Sequence, residues 1–177
     1  MSFSSPDFLP NEALPSDDAI ATMCREAGYS RTGIALRDSS QAVIAWIKYG
    51  PNVTRAEALT QAWVSKVIHD NPTDGVRVPR VHKAFVLDTP DCPIGHIVME
   101  YVDAPDCDAD DVQLVAQAVQ KLISLRGPTA APGPVGGGPI IHSFFVGWES
   151  NVTYNTVEQL EEHINNASLR RPFTPPR

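Results

Sequence analysis

The nine residues from Ala42 to Gly50, AVIAWIKYG, constrain the fold more than any other stretch. Both alternations of the run are apolar until Lys48, so a strand here needs cover on both faces. A helix follows almost at once, in PNVTRAEALTQAWVSKVIHDNPTDG. Thr54 suits its N-cap, and Glu57, three residues on, stands at the capping-box position. Leu59, Trp63 and Val67 recur at four-residue spacing and predict a buried stripe. Asn71-Pro72 and Asp74-Gly75 end the pattern.

The flanking sequence extends this unit. Residues 1–16 read as a loose leader with prolines at 6, 10 and 15. A short helix is predicted from Ser16 to Ala27, with Asp17 and Asp18 favouring its dipole and Gly28 stopping it. Thr32 to Leu36 and Gln41 to Tyr49 read as strands joined by the turn RDSS. VRVPRVHKAFVLD and IGHIVMEYVDA read as two more, joined by the hairpin loop TPDCPIG. The predicted order is strand, strand, helix, strand, strand.

From Asp108 the pattern changes. DADDVQLVAQAVQKLISLRG predicts a long amphipathic helix, with Val112, Val115, Val119 and Leu122 near one face and Gly127-Pro128 closing it. A Pro- and Gly-rich stretch with aromatic anchors, PTAAPGPVGGGPIIHSFFVGWES, reads as an ordered loop. Its VGGG lacks the G-K-[ST] of a phosphate-binding loop. NTVEQLEEHINNASL predicts a last helix, capped by Thr156 with Gln159 at the capping-box position, and RRPFTPPR reads as a tail. No internal repeat is present.

Bulk properties remove several function classes. One domain is the default for 177 residues. A net charge of −7 argues against a nucleic-acid partner, which needs a basic stripe. Cys24, Cys92 and Cys107 have neither the even number of a disulfide framework nor a zinc-site spacing. They read as reduced thiols, and no metal is expected. The N-terminus lacks a basic segment followed by an apolar one, and no run nears the roughly 20 apolar residues that span a bilayer. The expectation is a cytoplasmic protein with no membrane partner. On that footing Asn52-Val-Thr, Asn151-Val-Thr and Asn166-Ala-Ser are chance glycosylation matches.

Lys48 and Glu57 admit two readings: a surface charge with a helix cap, or the strand lysine and helix glutamate that hold a nucleotide in protein kinases. The wider sequence bears on the choice. VRVPRVHKAFVLDTPDCPIGHIVMEYVDA resembles the aminoglycoside- and choline-kinase-like phosphotransferases, in the large branch found in fungi. VPRVHKAF resembles that branch's strand after the helix, and IVMEYVDA its hinge strand between two lobes. SLRGPT, PGPVGGGPI and TVEQLEEHIN resemble a loop and helix early in its second lobe. The resemblance spans residues 30–169.

It implies an α+β fold: a kinase-like N-lobe, an antiparallel sheet with one packed helix, followed by helices of an incomplete C-lobe. The implied divisions are a leader and short helix (1–30), the N-lobe (31–104), a partial helical C-lobe with a Pro/Gly-rich insert (105–169) and a tail (170–177). Lys48 would anchor phosphates with Glu57 as its partner. Glu100, Tyr101 and Val102 would lie along the hinge, with Met99 just before them as a back-pocket residue or plain core. Trp46 shares a strand face with Lys48. Its ring could stack on adenine, fill the pocket and exclude nucleotide, or serve as core.

The residues that would complete phosphoryl transfer are missing. The family carries an H-G-D-x-x-x-x-N loop and a following I-D strand, whose aspartates and asparagine accept the substrate proton and hold magnesium. Here the last aspartate is Asp111. Beyond it stand Glu149, Glu158, Glu161, Glu162, His142 and His163, the last read with Glu162 as a solvated cluster. The expectation is a truncated or degenerate pseudokinase, incompetent for phosphoryl transfer alone, with no catalytic residue assigned. It would retain a nucleotide or small-molecule pocket of Trp46, Lys48, Glu57, Met99, Glu100, Tyr101 and Val102. ATP would bind weakly or not at all.

Two other classes stay open. One is a kinase-like fold recruited in fungal specialised metabolism as a cyclase or isomerase. Its pocket would add Phe144, Phe145 and Trp148 to Trp46, Met99 and Tyr101, with Lys48, Glu57 or His142 as acid, base or hydrogen-bond donor. The other is an interaction module, a homodimer or the partner of a protein that covers the missing lobe.

Overall fold

The computed structural model describes residues 2–3, 5–30, 33–72 and 75–169. Its elements run β1 (Ser2–Phe3), α1 (Asp17–Ala27), β2 (Gly33–Arg37), β3 (Val43–Gly50), α2 (Arg55–Asp70), β4 (Val81–Asp88), β5 (Pro93–Met99), α3 (Val112–Ser124) and α4 (Val157–Leu169). The chain divides into two compact units, Met1–Leu125 and Arg126–Arg177. Thr32, Asp74 and the tail from Arg170 lie outside the described residues.

The fold is α+β. Four antiparallel strands form the sheet, in the order β4-β5-β3-β2, and the two-residue β1 adds to β4 at one edge. β3 is therefore interior, as its two-sided apolar pattern requires. One face carries Leu36, Ala45, Ile47, Tyr49, Phe85 and Val98 against Ile20, Ala21 and Cys24 of α1. The other carries Val81, Ala84, Ile97 and Met99 against Val53, Ala58 and Ala62, with Trp46 packed on that cluster. The expectation of one packed helix is corrected: α1 covers the first face and α2 the second.

The N-terminal segment is also more than a loose leader. Leu9 N–H donates to Val81 O at 2.8 Å, and Leu9 O lies 2.8 Å from His82 Nδ1. Ser16 caps α1 by accepting from Ala19 N–H, and Gly28 ends the helix at φ 82°, a conformation glycine adopts freely.

α2 is seated differently from its hydrophobic pattern. Its buried residues are Ala58, Ala62, Ser65 and Ile68, whereas Leu59, Trp63 and Val67 are half-buried. Close approach explains the inversion. A Cβ at Gly95 of β5 would lie 1.9 Å from Val53 O, so the segment entering α2 rests on the sheet where no side chain fits. A helix held that near presents small residues to its support.

β4 and β5 are shorter than predicted. Residues 76–80 and 100–104 are not strand. Pro79 has no N–H to give a ladder, and Arg80 N–H is taken by the Glu100 carboxylate at 3.1 Å. The hairpin loop closes as expected, with Thr89 Oγ1 donating to Cys92 O at 2.7 Å.

A short 3₁₀ turn, Ala109–Asp111, capped by Asp108, leads into α3. The predicted apolar face of α3 is exposed: Val112, Val115, Val119 and Leu122 keep 38–60% of their surface. In the second unit Ile141 and Glu149 form an antiparallel bridge. Ser150 Oγ accepts from Ile140 N–H and donates to Val152 O, both at 2.8 Å. Thr156 caps α4 as predicted. His163 is not a solvated group. It is half-buried, its Nδ1 lies 2.7 Å from the Tyr154 hydroxyl, and its ring meets Phe145 edge-on. No helix among the described residues is long and apolar enough to cross a membrane.

Candidate functional site

Period-two alternation puts Trp46 and Lys48 on the α2 face of β3. The first turn of α2 brings Glu57 over them, and Lys48 Nζ forms an ion pair with Glu57 Oε1. Thr54 Oγ1 accepts from Glu57 N–H at 3.1 Å, which is half of the predicted capping box. The Glu57 carboxylate turns to Lys48. The two expected roles therefore divide between backbone and side chain of one residue. The paired side chains keep 41% and 33% of their surface. A pair this open is worth about 0–1 kcal/mol to the fold, so stability alone gives little reason for it.

Trp46 stands opposite Met99 of β5 and Ala35 of β2. Its indole leans over Gly33, where a Cβ would come within 2.6 Å of the ring. Tyr101, just past β5, faces it with ring centroids 6.5 Å apart and planes 30° from parallel. Gln61, four residues after Glu57, donates from Nε2 to Pro79 O at 3.0 Å and to Met99 Sδ at 3.2 Å. α2 is thus tied at one end to β3 and further along to the end of β5.

The remaining expected residues go elsewhere. Glu100 N–H donates to Arg80 O at 2.9 Å, and its carboxylate receives Arg80 N–H and lies 3.7 Å from Arg77. That side chain clasps the strand approach and does not point along the sheet face. Val102 is exposed. The fold therefore gathers Trp46, Lys48, Glu57, Met99 and Tyr101, while Glu100 and Val102 contribute by chain position alone. His142, Phe144, Phe145 and Trp148 belong to the second unit, where His142 Nδ1 accepts from Phe144 N–H at 3.0 Å.

A cleft of about 470 Å³ opens beside the second half of α2, lined by Ser65, Ile68, His69, Arg77, Arg80 and Glu100 among others. It meets the expected set only at Glu100. Gln61 and Gly33 are the positions that sequence reasoning missed. Gln61 carries a faint signal, one helical turn beyond Glu57 on the same face. Among the described residues no three His, Cys, Asp or Glu side chains gather as a metal-holding group.

Comparisons with family models, with characterised proteins and with solved structures each find no match. Function must be argued from the site itself.

Proposed function

We propose that this chain is a degenerate kinase-like module that binds a nucleotide on the α2 face of its sheet. It does not transfer phosphate by itself. The carrying observation is the Lys48–Glu57 ion pair between β3 and the first turn of α2. A strand lysine fixed by a helix glutamate is the arrangement protein kinases use to hold nucleotide phosphates. A compact ammonium oriented by a carboxylate and still open to solvent suits an anionic oxygen. Beside it, Trp46 and Tyr101 supply aromatic surface for a ring. The strand order β4-β5-β3-β2, with a helix joining β3 to β4, supports the same reading. The sequence offers no aspartate after Asp111 to receive a substrate proton or hold magnesium.

Calorimetric titration with ATP, with and without magnesium, tests the proposal on wild type and Lys48→Ala. The expected result is saturable binding that magnesium does not strengthen and that Lys48→Ala abolishes, without ATP turnover. No heat at millimolar ATP, or binding indifferent to Lys48→Ala, would overturn it.

A further inference from the structure

The α1 face of the sheet carries a buried titratable group that the proposed site does not use. His96 of β5 is 2% exposed. It stands directly across from Tyr49 of β3 and Phe85 of β4. The three rings form a ladder. Phe85 and His96 have centroids 4.5 Å apart with planes 7° from parallel, and Tyr49 and His96 are 6.3 Å and 15° apart. His96 Nδ1 is buried with no hydrogen-bond partner. A neutral imidazole can leave that nitrogen as a bare acceptor, whereas an imidazolium would place an unmet N–H and a charge there.

The ladder is what α1 rests on. Ile20, Ala21 and Cys24 pack into the cluster that holds Tyr49 and Phe85. The Tyr49 hydroxyl donates to Gly28 O at 2.8 Å, at the C-cap of α1. At the other end of the helix, Asp17 pairs with Lys83, whose ammonium lies 5.9 Å from the Phe85 centroid.

We infer that His96 is an acid-sensitive latch for α1: its neutral ring lets the helix seat on the aromatic ladder, and its protonation releases the helix while α2 stays in place.

The groups around His96 set the balance. α1 contributes Asp17 and Cys24, β3 contributes Tyr49 and β4 contributes Lys83. Asp17 favours a proton on His96 but is engaged with Lys83. Burial pushes the Cys24 thiol up to about 11, so it is neutral across the acidic range. Burial is the largest influence on His96 and holds it below the ordinary histidine value, opposed by the nearby Ile94 carbonyl and by Asp17. The sign follows. The neutral ring's stabilisation is complete above the unfolded value of about 6.5, and is lost as pH falls from there through the lower folded value. One proton gives a slope of up to about tenfold per pH unit within that window.

The test is amide exchange by NMR on the full chain from about pH 7.5 to about pH 4.5, corrected for intrinsic rates, with the His96 ring titration followed alongside. Protection across Asp17–Ala27 should fall relative to Arg55–Asp70 by up to about tenfold per pH unit below about pH 6.5. In His96→Leu and His96→Phe the ratio should stay flat. A His96 ring that titrates at or above about 6.5 would overturn the latch, and needs no variant to fold. So would α1 and α2 losing protection together, or a folded variant that keeps the pH dependence.

Discussion

Gly33 and Trp46 set each other's limits. The indole occupies the space a side chain at 33 would need, at 2.6 Å from an added Cβ. Gly33→Ala should therefore push the indole from its seat and destabilise by about 1–3 kcal/mol, the usual cost of overpacking. Urea unfolding would measure the loss, and near-ultraviolet circular dichroism the displaced ring. Lys48 was legible as a strand position and Glu57 as a capping position, but local spacing left their pairing open and only the family resemblance pointed to it. The tilt of Trp46 toward β2 was not legible. It depends on the register between β2 and β3, which no window of either strand contains. Nor was the turn of Glu100 toward Arg77 and Arg80, which depends on where β4 begins.

At the scale of elements, α2 shows how a correct helix can carry a wrong face. Thr54 as its cap and Asp70 as its last residue follow the sequence signals. Leu59, Trp63 and Val67 share an apolar row, yet Ala58, Ala62, Ser65 and Ile68 are the buried ones, and the two that meet the sheet cluster, Ala58 and Ala62, are small. Periodicity ranks residues by hydrophobicity. The sheet selected for size, because Gly95 admits the Val53 backbone and Trp46 and Met99 already fill that layer. Ala62→Leu should consequently destabilise by about 1–3 kcal/mol through overpacking, despite adding apolar surface. Leu59→Ala, at a half-buried site, should cost less, and chemical denaturation of the two variants checks the order. α1 shows the reverse case: Ser16, Ala27 and Gly28 were readable as its start and end, but its place on the opposite face of the sheet was not. That place comes from the long-range ladder of Tyr49, His96 and Phe85.

At the scale of the whole molecule, the sheet order and the two-helix cover give the first unit a core on each face, which the two-sided pattern of β3 anticipated in outline. The division at Leu125 and Arg126 was not evident, because the segment there reads as the end of a helix followed by loop. The proposed site draws all its assembled residues from the first unit, so ligand binding should leave its mark there. The most direct measurement is a set of amide and indole NMR spectra of the full chain titrated with ATP, with the indole signal of Trp46 assigned from Trp46→Phe. The Trp46 indole N–H and the amides of Lys48, Glu57 and Tyr101 should shift together and saturate, while α1 on the opposite face of the sheet stays still. Unmoved resonances at millimolar ATP, or shifts centred away from Lys48, would contradict it.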